Sequence, residues 1–594
     1  MSNENGQRLS IRHQARQFIK NEQVILSSLA VVIGGASGLA AVGFRHFIDI
    51  VQGFFYGFEG EKVTEGFSQL PWWQILLVPV VGGAIVGVFI RYFLPDGKPQ
   101  GVPHVIEATA LKGGRMSLKT GLRAAVASAF SIGVGASVGR EGPVVHLGAS
   151  IGAWLSKRLH LGYTLFRTLL GCGVAAAIAT SFNAPIAGVF FALEVVVGHY
   201  AISAFAPIVI ASVVGTIISR IYYGDFPAFI LPNAMSLSSF WEFPAFALLG
   251  IVSALAAIAF MWAVIFTEDS FQKLKVPFWA KPMIGGLALG VMALVFPQVI
   301  GVGYEATDAA LSENYELWLL LALIVVKTLA TAVSLGSGFS GGVFSPSLFI
   351  GAMVGGAYGL IATSIFPELS SGTSAYTVIG MGAVAGAVLG APISTILMIF
   401  ELTNDYAMTI AVMIATSLSS VITQQVHGKS FFMWQLERRG VEIRGGREAS
   451  LMRTLTISHM VHSVVSTIPP DADLATVRRE LRKTKLGQLF VVDESGRLKG
   501  CISFVDLADG LDLQEEKGEP VTAIEIARTK AAQLEENANI EQALEAHGAS
   551  GEVYIPVVNN SEDGILKGVI HEHDVALAYK KAMEQARAEE RGEI

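Results

Sequence analysis

The chain has 594 residues, of which 52% are hydrophobic and only 15% charged, with a formal net charge of −7 and a mean hydropathy of +0.53. A soluble domain carries about 25% charged residues, so the composition excludes an all-soluble chain, and the modest net charge gives no basis for nucleic-acid binding. Cys172 sits in an apolar run and Cys501 in a polar one, and two thiols so placed exclude a disulfide framework.

The chain opens with Arg8, Arg12, Arg16 and Lys20 at four-residue spacing, a basic stripe on one helix over residues 1–23. The apolar run from Val24 to Phe44 is longer than the roughly 7–15 residues of a signal-peptide core, so a retained first span is expected. Basic residues ahead of that span place the N-terminus in the cytoplasm. Lys429, Arg438, Arg439, Arg444 and Arg447 after the last span place the C-terminal tail there too.

Phe54 to Trp73 reads as a polar loop closed by an interfacial anchor, Trp72-Trp73. Leu76 to Phe93 and Leu317 to Ala332 approach the roughly 20 residues that a span needs. Pro143 to Leu155, Pro185 to Val197 and Pro346 to Leu360 are shorter, and each opens on proline, which a first helical turn tolerates. Half-length helices that start within the membrane are expected at these three places, since irregular backbone at that depth must be buried or line a cavity.

Two stretches repeat. SIGVGASVGREGPVVHLGASIG (Ser131 to Gly152) and SLGSGFSGGVFSPSLFIGAMVG (Ser334 to Gly355) are identical at nine of 22 positions without a gap. Ala184-Pro185-Ile186 with Glu194 returns as Ala391-Pro392-Ile393 with Glu401. Charges are sparse from Val24 to Trp434 and ordinary after Glu437, giving a membrane domain over 24–440 whose two copies cover about 24–225 and 240–440. Glycine- and proline-broken segments at matching places in two halves point to a substrate site where the halves meet. A helix N-terminus there offers unpaired N–H groups and about half a positive charge, which suits an anion. The alternative use of such glycines is close helix packing.

Glu141 stands at one of these helix starts, and an ionisable group within the membrane is a functional candidate by default. GREGP (Gly139 to Pro143), GGVFSP (Gly341 to Pro346) and FNAPIAG (Phe182 to Gly188), in that setting, resemble the CLC family of chloride channels and chloride/proton exchangers. The resemblance runs from the first span to the last. It implies a mostly α, polytopic membrane protein with an inverted repeat of broken helices, a pore in each subunit, a homodimer and chloride as the transported ion. It also implies that Glu141 is the gate and that Gln100, Gly101, Arg140, Gly142, Val343, Phe344 and Phe432 line the anion path, Arg140 as a structural or steering charge. Three departures follow from the same likeness: Gln100 stands for a serine, Phe432 for a tyrosine, and Val195 for the inner proton glutamate. The central site is thereby expected to lack hydroxyls, and Glu194 and Glu401 read as structural carboxylates.

After a linker at 441–455, the tail repeats as well. Gln488-Leu-Phe-Val-Val-Asp-Glu-Ser-Gly followed by Leu498-Lys-Gly-Cys-Ile-Ser-Phe-Val-Asp506 returns as Glu552-Val-Tyr-Ile-Pro-Val-Val and Leu566-Lys-Gly-Val-Ile-His-Glu-His-Asp574. Strand, turn, strand and helix start in each copy resemble a pair of CBS domains, at 456–510 and 521–581, ahead of a charged tail at 582–594. That likeness implies an adenine nucleotide (ATP, ADP or AMP) held by Ser503, Asp506 and Asp574. The alternative for Ser503 and Asp506 is a plain helix cap. His571 and His573 are too few to close a metal shell, so no metal or required cofactor is expected.

G-x-S-x-G occurs at Gly135–Gly139 and at Gly338–Gly342, the string of a hydrolase nucleophile. It needs a histidine partner and a strand–turn–helix setting, so an intramembrane serine hydrolase is the remote alternative and no enzyme is expected. The reading as a whole is chloride transport across a cell (inner) membrane, among lipid, with both termini cytoplasmic. Passive conduction is favoured over proton-coupled exchange because Val195 cannot titrate.

Overall fold

A computed structural model describes residues 22–591 apart from 61, 199–201, 226–228, 230–236, 442–451, 453–454, 464, 485 and 561. The expected basic helix with Arg8, Arg12, Arg16 and Lys20, most of the linker, and Arg444 and Arg447 lie outside the described residues. The chain forms two compact units, residues 1–442 and 443–594.

The first unit is helical. Its first half comprises α1 (Glu22–Tyr56), α2 (Trp72–Phe93), α3 (Val102–Leu111), α4 (Leu118–Gly133), α5 (Glu141–Arg158), α6 (Tyr163–Phe182), α7 (Pro185–Phe191) and α8 (Ile202–Tyr223). The second half comprises α9 (Phe243–Lys273), α10 (Lys281–Val295), α11 (Tyr304–Leu311), α12 (Leu317–Ser337), α13 (Phe344–Ile365), α14 (Thr373–Leu389), α15 (Pro392–Thr403) and α16 (Tyr406–His427), and a short α17 (Phe431–Glu437) follows. Among the described residues, nine helices are long and apolar enough to cross a membrane. Taken in order, α1–α8 and α9–α16 correspond one to one. Trp72 and Trp73 open α2 and are exposed, as an interfacial anchor requires.

The half-helices differ from expectation in where they begin and how far they run. α5 and α13 start two residues ahead of their prolines and span 18 and 22 residues. Proline fits because the N–H groups of the first turn have no intrahelical acceptor. α7 is the short one, seven residues, continued by a wider helical turn over Ala192–Val197.

Small residues let these helices approach backbone to backbone, and they do so twice. A Cβ on Gly148 would fall 2.3 Å from the Gly173 carbonyl oxygen, and one on Gly351 would fall 2.4 Å from that of Gly380. Gly152 and Gly355 repeat the closeness against Leu169 and Tyr376, at 2.3 and 2.1 Å. At these four positions, close packing is what glycine serves.

The halves lock through reciprocal bonds. Gly139 N–H donates to the Gly342 carbonyl (2.7 Å) and Gly342 N–H to that of Gly139 (2.8 Å). Ser137 N–H donates to Ser334 Oγ (3.1 Å), while Ser340 N–H donates to Ser131 Oγ (3.2 Å). The hydroxyls of Ser128 and Ser340 meet at 2.7 Å, and those of Ser137 and Thr331 at 3.3 Å. Ser137 and Ser340, the serines of the two G-x-S-x-G strings, are thus fully buried in a helix–loop–helix setting with hydroxyl partners and no histidine. The setting differs from the strand–turn–helix that the hydrolase string needs.

The second unit repeats a three-stranded sheet. β1 (Thr467–Ile468), β2 (Gln488–Val492) and β3 (Leu498–Ser503) are followed by β4 (Leu534–Glu535), β5 (Tyr554–Val558) and β6 (Leu566–His571). In each sheet the first pair is parallel and the second antiparallel, with a register shift at Val491/Val492 and again at Val557/Val558. Helices Leu474–Lys483, Phe504–Lys517, Ile540–Ser550 and Glu572–Arg591 complete the two copies, the last running through most of the expected charged tail. Leu489, Val491 and Ile502 face the core of the first copy, while Phe490 and Cys501 on the opposite face pack with Val569 of the second. Burial pushes the Cys501 thiol up to about 12, which keeps it neutral and inert.

Candidate functional site

Where the halves meet, the first turn of α5 brings Glu141 into the interior with 0% of its surface exposed. Its two carboxylate oxygens are held separately. Tyr304 donates its hydroxyl to Oε1 (2.9 Å) and Ser345 donates its own to Oε2 (2.6 Å). The carboxylate folds back over Gly139, where a Cβ would sit 2.9 Å from Oε2. Arg140 Nε lies 3.8 Å from Oε1, and its guanidinium covers the Tyr304 ring at 4.5 Å.

Two cavities lie on this side of the repeat: the larger reaches the carboxylate, and the smaller lies behind Arg140 and Tyr304. The larger, about 430 Å³, is lined by Gln100, Gly101, Glu141, Gly142, Val343, Phe344 and Phe432. Seven residues read as gate and anion path therefore converge on one space. Lys98, Lys281, Arg438 and Arg439 also line it, with Glu268 as the opposing charge. Such a basic lining concentrates anions. The smaller cavity, about 50 Å³, is lined by Arg140, Tyr304, Gly303 and Arg45 among others. Arg140 is thus brought to Glu141 but faces the other cavity from the rest of the path.

Each remaining candidate has a definite place. Gln100 is nearly buried and turns its amide Nε2 toward its own segment's Lys98 carbonyl at 3.4 Å. Gly101 N–H donates to His104 Nδ1 (3.1 Å), whose Nε2 lies against the Arg439 guanidinium. A neutral imidazole has one nitrogen lone pair to offer, so only one of those two contacts is a hydrogen bond at a time. Phe432 is buried edge-on to Phe431 in the first turn of α17. Val195 is buried in the turn after α7 and lines neither cavity.

Glu194 and Glu401 cap helices across the repeat. Glu401 accepts from Ile186 and Ala187 N–H at 2.8 Å each, at the start of α7. Glu194 accepts from Ile393 N–H (3.1 Å) and from the N–H (2.8 Å) and hydroxyl of Ser394, at the start of α15. Each carboxylate satisfies donors that a helix start leaves unpaired.

Tyr304, Ser345 and Lys327 were not legible as site residues. Gln100 and Phe432 bring no hydroxyl to the cavity, and the two hydroxyls near it come from α11 and α13 and rest on the Glu141 carboxylate. Lys327 is wholly buried on α12 and donates to the Val299 and Gly301 carbonyls, 3.0 Å each. It thereby pins the loop that leads through Gly303, at φ +92°, to Tyr304. A repeat-based signal existed: Gln100-Gly101-Val102 opens α3 as Val302-Gly303-Tyr304 opens α11.

In the second unit, Ser503 and Asp506 form a helix cap: Ser503 N–H and hydroxyl both donate to Asp506 Oδ2 at 2.6 Å. Arg528 Nε adds a third bond to that oxygen (3.1 Å) and also binds Glu552, which Gln488 holds in turn. Asp574 pairs with His462 at 2.8 Å, and His571 Nδ1 accepts from His573 N–H at 2.9 Å. Ser503 and Asp506 are thus brought together, and all three carboxyl and hydroxyl candidates already have protein partners. Among the described residues, no group of three ligating side chains forms a metal site.

Two interlocked copies of a broken-helix unit, meeting at helix N-termini around a buried carboxylate and a basic cavity, define a multi-pass membrane protein built on an internal repeat. Residues 82–424 match the voltage gated chloride channel family, and residues 456–512 match the CBS domain. The chain is 33% identical over 416 residues to a ClcB-like chloride channel protein of Ralstonia nicotianae, covering 69% of this chain and 96% of that one. It is 27% identical over 445 residues to the H(+)/Cl(−) exchange transporter ClcA of Salmonella paratyphi B, covering 73% and 92%. The fold is shared with the crystal structure of a slow cyanobacterial Cl−/H+ antiporter, at a TM-score of 0.63, 24% identity, and coverage of 70% and 97%. The chain belongs to the voltage gated chloride channel (CLC) family and carries a C-terminal CBS domain.

Proposed function

We propose that this protein conducts chloride passively across a cell membrane through the large cavity, gated by Glu141. The observation that carries the reading is the buried Glu141 carboxylate at the large cavity, held by two hydroxyls beside a flanking arginine. Protonation, or displacement by an incoming anion, frees the path. Passive flow rests on Val195, a hydrocarbon that cannot titrate under any shift, and on Glu194, whose oxygens are engaged as a cap. The working form is a homodimer with both termini in the cytoplasm, and the CBS pair takes an adenine nucleotide.

A second reading, proton-coupled exchange, has its own support. His104 and Glu268 are titratable groups in the same cavity as Glu141. Zero-current voltage in proteoliposomes separates the two. Passive conduction predicts a voltage that follows the chloride gradient alone. A dependence on the pH gradient, with chloride-driven proton uptake, contradicts it and supports exchange.

A further inference from the structure

We propose that the tail takes its nucleotide at Asp574, with His462 as the displaceable guard of that carboxylate, and that Arg528 keeps the equivalent carboxylate, Asp506, shut. The inference rests on the reading that the CBS pair binds an adenine nucleotide, and it adds which copy binds and which residues decide it. Asp506 and Asp574 occupy the same place in the repeat, at the helix start that follows β3 or β6. Each meets a basic side chain from an equivalent segment. Arg528 exchanges backbone bonds with Cys501 on β3 (2.9 and 3.3 Å), and His462 does so with Val569 on β6 (2.8 and 3.0 Å). Cys501 and Val569 end the matching strings Leu498-Lys-Gly-Cys501 and Leu566-Lys-Gly-Val569. The glycine before each lets the segment close in: a Cβ on Gly500 would fall 3.0 Å from the Arg528 carbonyl oxygen, and one on Gly568 would fall 2.4 Å from that of His462. Arg528 and His462 are therefore counterparts, each laid over the aspartate of its copy.

The two clasps differ in strength. A guanidinium keeps its charge and presents a rigid fork of donors. Arg528 uses it to bind Asp506 through Nε at 3.1 Å and Glu552 through a second nitrogen, and Gln488 holds Glu552 in turn. Ser503 adds its N–H and hydroxyl to the same Asp506 oxygen, and the Asp506 side chain is only 12% exposed. A ligand entering there has to strip an arginine from two acids and undo a helix cap. Where Glu552 stands, the other copy has Leu486, and where Ser503 stands it has His571, whose Nδ1 accepts from His573 N–H instead. Among the described residues, the side-chain partner of Asp574 is His462 alone, at 2.8 Å. An imidazole Nε2 offers one N–H at most, and this pair is exposed, 60% at His462 and 34% at Asp574. Exposed pairs contribute little, so the second clasp opens where the first does not.

A ribose diol is a pair of O–H donors and asks for a carboxylate with both oxygens in reach. Asp574 supplies that once His462 turns aside, whereas Asp506 has one oxygen already filled by three donors. Sequence alone points to the other copy, because Ser503-x-x-Asp506 is complete and His571-x-x-Asp574 is not. That completeness serves the helix cap. One nucleotide per chain follows, fixed by an arginine in one copy and a histidine in the other.

The test is ATP binding by calorimetry to the full-length protein in detergent, with the two counterparts exchanged. The wild type should bind one ATP per chain. His462→Arg should weaken that binding about tenfold or more, the scale of a hydrogen bond to a charged group, while His462→Ala should tighten it. Arg528→His should add a second site. A merely structural side chain at 462 would not move affinity in opposite directions for Arg and Ala. Should Arg528→His not fold, the two His462 variants decide alone, since they replace an exposed side chain. ATP affinity unchanged in His462→Arg and in Asp574→Asn would overturn the proposal and leave the nucleotide reading standing. Silence of the wild type, His462→Ala and Arg528→His toward ATP, ADP and AMP would instead remove the nucleotide reading, and the proposal with it.

Discussion

The first and second copies within each unit share a scaffold and differ in the residues placed on it. In the membrane unit, Gly139 and Gly342 hydrogen-bond each other, and Glu194 and Glu401 cap helices across the repeat in the same way. At the equivalent helix starts, however, Glu141 faces Phe344, Gly142 faces Ser345, and Val102 answers Tyr304. One copy supplies the acid, and the other supplies the hydroxyls that hold it. In the second unit, Asp473 and Asp493 of the first copy stand where the second has Asn539 and Asn559. Duplication fixes backbone geometry, and divergence at a few positions creates chemistry that a symmetric pair could not have.

The largest effect should come from breaking the shared scaffold. Gly148→Leu and Gly351→Leu each force a side chain into a backbone carbonyl 2.3 and 2.4 Å away. Overpacking on this scale costs about 1–3 kcal/mol or more. Both variants should lose the monodisperse peak in size-exclusion chromatography, and an effect on one alone would show that the copies are not structurally equivalent.

Next come the swapped caps. Glu194→Ala and Glu401→Ala each leave two backbone N–H groups without their acceptor. A lost helix cap costs roughly 0.5–2 kcal/mol, so thermal unfolding of the detergent-solubilised protein should fall similarly for both. If Glu194→Ala instead leaves stability intact and alters proton coupling, Glu194 is a relay and the copies differ there too.

The smallest effect is in the tail and runs with pH. Asp473 is held below its usual value by the Thr476 hydroxyl and N–H, Glu480 by Lys483 and Arg479, Asp493 by Ser495 and the Arg497 N–H, and Glu525 by Thr522. Depressed carboxylates stabilise the fold above their unfolded values and lose that contribution as pH falls through the folded ones. Asn539 caps its helix through the Gln542 N–H with no charge to lose. Hydrogen exchange from pH 5 downward should therefore loosen β1–β3 before β4–β6. Simultaneous loosening would mean that these carboxylates contribute little.

How much of this was legible follows from what repetition exposes. Gly139, Gly342, the prolines and Glu141 stand out because two copies agree around them. Six path residues then meet Glu141 in one cavity since all sit at helix starts or in the loops leading to them. Tyr304 did not stand out, because it lies 163 residues from its partner Glu141 and replaces a valine rather than repeating it. The length of α5 and α13 was also misjudged: proline reads as a first residue, yet it serves equally at the third. Asp506 reads from sequence as a nucleotide-binding carboxylate or a helix cap, and the Arg528 bond to it, from 22 residues on, has no local signal.

Whether Glu141 controls the path is measured most directly by chloride efflux from proteoliposomes across pH 4–8, wild type against Glu141→Gln. A glutamine has the shape of the gate without its titration or charge. The wild type should speed up as pH falls, and the variant should run fast and flat. A variant whose efflux keeps the wild-type pH profile would contradict the account.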